Sequence, residues 1–390
     1  MSYERILEVE NWLTTSVCQR FRDEDSVCPT NVRSNLFTVG ALDNIDHNLS
    51  STTAQGSFHG TSISLFQFPT EANKGIHRPP ITIPPPENAG PATLPETYSV
   101  VPAVACNIDR VTVPEAEIPN SDSHLEGEKE KEHIWLQQSI QLLSNDMIQE
   151  YDNISWASYH ASLQPQTTNP AGISALLPLF FEKAATIPMI HHGMTILKQL
   201  TAKCNPGQIP VMAVDQPLFA LAKYVQWTWP ELFSEKSFVV MFGGLHIEIA
   251  LWRMLGRLLE GSDWTIALSE AGVASAGTAN SFLQVTHMTR TRHAHQVSAL
   301  CLAKLQKNAY ETAQVACSFD TWKQNMCRTR PSFMFWDLIL QLELLVLIFV
   351  RSHREQNLSL YIEVLEELTP CFLHWISLTM PDGFLCTYGI

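Results

Sequence analysis

Ile209-Pro-Val-Met-Ala-Val-Asp215 and Ser237-Phe-Val-Val-Met-Phe-Gly-Gly-Leu-His-Ile-Glu248 frame the stretch that decides the fold. Each apolar run has strand length and stops at a polar residue or a glycine. The aromatic segment between them has the length of a helix. Gln208–Glu260 therefore reads strand, Asp, helix, strand, Gly-Gly, helix, the layout of a βαβ unit in a parallel sheet. Ligands of such sheets sit beyond the carboxyl ends of the strands, where Asp215 and His246 fall.

Upstream, Leu36–Leu42 predicts a strand running into Asp43-Asn-Ile-Asp46, and Ser62–Phe68 predicts a second, paired antiparallel across a long polar loop. Residues 3–24 space Ile6, Leu7, Val9, Leu13 and Val17 along one face of a helix. From Thr70 to Pro119 prolines dominate, as expected of a stiff insert, with Tyr98–Ala105 as an edge-strand candidate inside it. Helical spacing follows over 133–151, 171–186 and 187–203. It returns beyond Glu260 at Ser281–Lys307, Phe319–Met326, Phe333–His353 and Leu358–Leu368. The expected class is α/β, a mixed sheet in the front half with a mostly helical C-terminal half. Residues 1–70 carry the first helix and strands, 71–132 form a proline-rich, partly disordered insert, and 133–270 complete the α/β core. Residues 271–370 form a helical region, and 371–390 an atypical tail.

Thirty-nine acidic against 25 basic residues leave a net charge of −14, which opposes holding DNA or RNA by phosphate neutralisation and opposes an anionic membrane surface. The nine cysteines are scattered singly with no Cys-x-x-Cys, as expected of reduced thiols in an intracellular protein, nuclear or cytoplasmic, rather than a disulfide framework or zinc ribbon. No signal-peptide apolar region opens the chain. The run Leu338–Val350 is interrupted by Gln341 and Glu343 and is too short to span a bilayer, so it reads as a buried helix.

Asp43, Asp46 and Asp215 all follow predicted strands, and strand-end carboxylates can bind hard divalent ions for phosphodiester chemistry. The simpler reading of Asp215, before Gln216-Pro217, is a helix N-cap. His246 reads as a buried, hydrogen-bonded histidine and Glu248 as an acid favoured near a helix start. His191 and His192 alternate faces with no third ligand at helical spacing. Thr289–His295 is the most basic local segment and reads equally as a phosphate contact or as a solvated helix start. Neither a Walker loop nor a nucleophile elbow is present.

The blocks Phe37–Asn48, Ser57-Phe-His-Gly60, Val211–Gly261, Leu283–Ala303 and Phe335–Leu368 resemble a group of proteins encoded by transposable elements in animal genomes. They cover most of the chain outside the proline-rich insert. The resemblance implies a ribonuclease-H-like transposase core: a first strand with one Asp, hairpin strands, a helix, and a fourth strand with the second Asp. A helix, a fifth strand and a further helix then follow. It makes Asp43 or Asp46, with Asp215, ligands of Mg²⁺ or Mn²⁺, and leaves the third acid open among Glu248, Glu260, Glu343 and Glu363. DNA is the implied ancestral partner; protein partners are not indicated. Relatives continue upstream, and Cys371–Ile390 departs from them as an out-of-frame reading would. The expectation is a truncated, inactive nuclease-fold copy, set against a non-enzymatic helical interaction protein and, third, a metal-dependent hydrolase of a small substrate.

Overall fold

The computed structural model describes residues 2–48, 57–82, 91–105, 125–143, 155–165 and 170–379. In chain order its elements begin with α1 (Tyr3–Asp23), β1 (Thr38–Asn48), β2 (Ser57–Gln67), α2 (Glu96–Ser99), α3 (Leu125–Leu143) and α4 (Trp156–Leu163). Next come β3 (Ile173–Leu176), α5 (Ile187–Cys204), β4 (Val211–Val214), α6 (Gln216–Thr228), α7 (Pro230–Phe233) and β5 (Val239–Phe242). The rest is helical: α8 (Gly244–Leu259), α9 (Trp264–Glu270), α10 (Ala276–Leu283), α11 (Met288–Ala313), α12 (Phe319–Thr329), α13 (Pro331–Arg354) and α14 (Leu358–Thr379).

Two units share these elements. Residues 1–116 and 167–243 form an α/β unit, and 117–166 and 244–390 a helical one. The boundaries differ from those read off composition, because α3, α4 and α8 belong to the helical unit and not to the sheet. The reason is packing: α3 contacts α11, α13 and α14, and its Trp135 and Leu136 are buried in their core.

The sheet of the α/β unit has the order β3-β2-β1-β4-β5. β1 and β2 pair antiparallel over their full length, Leu42 opposite Ile63 and Asp43 opposite Ser62. β2 pairs antiparallel with β3, while β1–β4 and β4–β5 are parallel. Period-two alternation sends Leu42, Ile63, Leu65, Met212, Val214 and Val240 into one core with α5 and α6. Gln226 of α6 donates to the Phe233 and Phe238 carbonyls, tying the crossover helix to the start of β5.

Three expected elements change. Residues 171–186 are not a helix: Pro178 opposes one, and 173–176 pair with β2 as β3, extended further by the Thr61–Phe180 bridge. Tyr98–Ala105 is not a strand. Tyr98 lies within the short α2, its hydroxyl donating to the Pro178 carbonyl and its ring lying 4.7 Å from that of Phe180. The single helix over 281–307 is two, because Val285 takes a left-handed φ of 56° between α10 and α11.

In the helical unit, α13 is long and apolar enough to cross a membrane by length and composition, yet Ile339–Ser352, apart from half-buried Gln341, are buried among the surrounding helices. A Cβ on Gly256 of α8 would strike the Leu283 carbonyl, so glycine there permits the close approach of α8 and α10.

Candidate functional site

The parallel ladder between β1 and β4 runs Val39–Val211, Gly40–Met212, Ala41–Ala213. Two steps further along each strand stand Asp43 and Asp215, which places the two carboxylates at one level on neighbouring strands. Both lie on the alternate face from buried Leu42 and Val214. Sequence reasoning named both residues; the register sets their backbone positions level.

Asp43 is exposed, and its Oδ1 accepts from the Asn44 amide at 2.8 Å. Asp215 is half-buried and is the N-cap of α6, its Oδ1 accepting from the Leu218 amide at 3.0 Å, so the cap reading holds. That bond uses one oxygen of each carboxylate. Neither Oδ2 has a hydrogen bond among the described residues, which leaves one hard oxygen donor on each. Asp46 lies further along β1 opposite His59; its side chain falls outside what is described.

Glu248 is differently committed. It lies buried in α8, where Arg292 of α11 forks onto both carboxylate oxygens and Trp252 Nε1 donates to Oε1 at 2.9 Å. The ion pair, more than the helix dipole, explains an acid here. The same pairing accounts for part of the basic Thr289–His295 segment. His246 is exposed, not buried as expected, because it points away from the core that takes Glu248 and Leu251. His192 is buried with Nε2 on the Tyr98 carbonyl at 2.8 Å, and His191 packs against Trp229 and Phe233.

Of the remaining acids, Glu260 is exposed and Glu363 buried. Glu343 is wholly enclosed in α13, its Oε1 2.8 Å from His295 Nδ1. The His295 ring stacks between Trp252 at 4.4 Å and Trp264 at 4.9 Å. Burial pushes His295 down to about 3 and Glu343 well above the usual carboxylate range, so the pair is a neutral acid beside a neutral imidazole. Sequence gave no sign of this cluster, since its members come from α8, α9, α11 and α13.

A second buried network binds α3 to α13. Arg351 donates to Glu132 at 2.8 Å and also pairs with Glu128, while His160 and Trp156 contact the other Glu132 oxygen at 3.0 and 2.8 Å. These are structural ion pairs; Arg351 Nε makes no hydrogen bond and lies 3.4 Å from Glu355 Oε1.

Among the described residues no group of three or more His, Cys, Asp or Glu side chains could hold a metal ion. Asp43 and Asp215 are a pair. Their all-oxygen donor set suits a hard divalent cation that keeps part of its hydration shell; Glu248, held by Arg292, does not suit one. No protein-family model, curated protein or solved structure matches this chain.

Proposed function

We propose that the α/β unit is a ribonuclease-H-like nuclease core of the transposase kind, retained in a chain that no longer cuts DNA. The observation that carries the reading is the register that sets Asp43, midway along β1, level with Asp215, which directly follows parallel β4. Within the unit, short α2 and α7 aside, the element order from β1 supports it: a strand with an Asp, two antiparallel strands, a helix, a strand followed by an Asp, a helix and a strand. A Mg²⁺ or Mn²⁺ ion held there would supply charge stabilisation for phosphodiester hydrolysis. The protein's own part is to fix the ligands. The Leu218 amide orients Asp215 through one oxygen and leaves the other for a cation, so capping and ligation coexist. The N-terminus of α6 beside it favours the carboxylate and would equally favour a phosphate.

Two of the four candidate third acids are committed elsewhere. The Arg292 fork occupies Glu248, and Glu343 sits neutral and enclosed, so neither is free as a third ligand. A net charge of −14 also weakens any hold on DNA. Titration of purified protein with Mn²⁺, read by electron paramagnetic resonance of the free ion, tests the reading. Wild type should bind, Asp43→Asn and Asp215→Asn should each weaken binding about tenfold, and plasmid DNA should stay uncut. Equal binding by all three proteins would overturn it.

A non-enzymatic interaction protein is the second reading. It is favoured by the exposure of Tyr3, Ile6, Leu7 and Leu13 along α1. The same titration separates the two, because that reading requires no cation site.

A further inference from the structure

Cys28 and Cys204 lie 176 positions apart, yet their sulfur atoms are 3.6 Å from each other in the core of the α/β unit. Cys28 follows α1 and Cys204 ends α5; their exposures are 0% and 2%. They are the only two cysteines in contact among the described residues. The surroundings are cationic. Arg78 donates to the Cys28 carbonyl and pairs with Glu24, and Lys203 donates to the same Glu24 carboxylate at 2.7 Å.

We propose that Cys28 and Cys204 are a redox pair that closes to a reversible disulfide with a small peroxide as the oxidant. Closing needs the sulfurs to approach by about 1.5 Å, to the usual bond length of about 2.05 Å. The two thiols have unequal roles. The hydrogen bond from Cys204, with help from Arg78 and Lys203 and against burial, brings Cys28 down to about 7, while the same bond and burial push Cys204 up. Arg78, held on the Cys28 carbonyl, places a cation on the Cys28 side and assigns the attack to Cys28 and the resolving step to Cys204.

In the first step Cys28 sulfur attacks one peroxide oxygen and the O–O bond breaks. The departing hydroxide takes a proton to become water, and Cys28 is left as a sulfenic acid. In the second, Cys204 loses its proton and its sulfur attacks that of Cys28; the S–O bond breaks and a second water leaves. Two thiols have given up two electrons and two protons, and one peroxide has become two waters. The bond would tie the segment after α1 to the end of α5, where the Asn35 amide already donates to the Cys204 carbonyl at 2.7 Å just ahead of β1. Burial of both sulfurs selects a small oxidant over a bulky disulfide.

The test uses the purified full chain, exposed to hydrogen peroxide until exposed Cys301 is oxidised, then capped with N-ethylmaleimide in denaturant. Peptide mass spectrometry without reductant should recover Cys28 joined to Cys204, and dithiothreitol should release them. The thermal unfolding midpoint should rise on oxidation in wild type and not in Cys28→Ser or Cys204→Ser. Recovery of Cys28 and Cys204 as capped thiols, as sulfinic acids, or paired with other cysteines would overturn the proposal. The wild-type peptide result decides even if a serine variant fails to fold.

Discussion

Gly193 of α5 sits directly against Leu42 of β1, and the contact is reciprocal, since Gly40 of β1 sits against Leu197 of α5. A Cβ at Gly40 would stand 2.6 Å from Leu197 Cδ1, and one at Gly193 would also collide with its leucine. The two glycines let helix and strand approach closely and so fix the level of Asp43, the next residue after Leu42. Gly193→Val and Gly40→Val should each cost about 1–3 kcal/mol through overpacking, measured as a lower urea midpoint of the α/β unit. Gly127 in α3 has open space around it, so Gly127→Ala should instead stabilise by about 0.5–1 kcal/mol.

Arg351 is enclosed with Glu132. Arg351→Ala leaves a carboxylate buried without its cation and should cost about 3–5 kcal/mol. Arg351→Met combined with Glu132→Gln removes both charges and should recover most of that loss. Urea unfolding of the single and double variants checks it; equal losses in both would contradict the paired reading.

The buried His295–Glu343 pair makes stability depend on pH from both sides. His295 is held near 3 against about 6.5 when unfolded, so the unfolded chain takes the proton first and stability falls as pH drops below about 6.5. Glu343 is raised, so its contribution is full in acid and is lost as pH rises through its folded value. Glu343→Gln keeps a donor for His295 Nδ1 and removes only the loss that sets in above the unfolded carboxylate value of about 4.3. Thermal midpoints across about pH 3 to 9 should run parallel to wild type below about pH 4.3 and diverge increasingly as pH rises above it.

Glu248→Gln separates structure from chemistry. Weakening the Arg292 fork in a buried setting should destabilise the helical unit by about 1–3 kcal/mol while Mn²⁺ binding is unchanged. A loss of Mn²⁺ binding equal to that of Asp215→Asn would make Glu248 a ligand.

The parts of the fold legible in sequence were those governed by local pattern. The existence of the paired strands β1 and β2, of the β4–α6–β5 unit and of the helices α5 and α13 follows from periodicity and breaks, although β1 continues through Asp43 and Asp46 to Asn48 and β2 begins at Ser57. Residues 171–186 misled because an apolar run fits either period, and only pairing with β2 makes it a strand. Asp215 was legible as a cap, but its nearness to Asp43 depends on a register across more than 160 residues. The partner of Glu248, the Trp252–His295–Trp264 stack and the Cys28–Cys204 contact are tertiary, and no spacing encodes them.

Iron-directed cleavage tests the carboxylate pair most directly. Ferrous ion with ascorbate and peroxide cuts backbone beside its ligands, so wild-type protein should be cut both near Asp43 and near Asp215. Mg²⁺ should suppress both cuts, and either Asp→Asn variant should abolish both together. Cutting at one strand alone, or cuts that survive Asp215→Asn, would contradict a shared cation site.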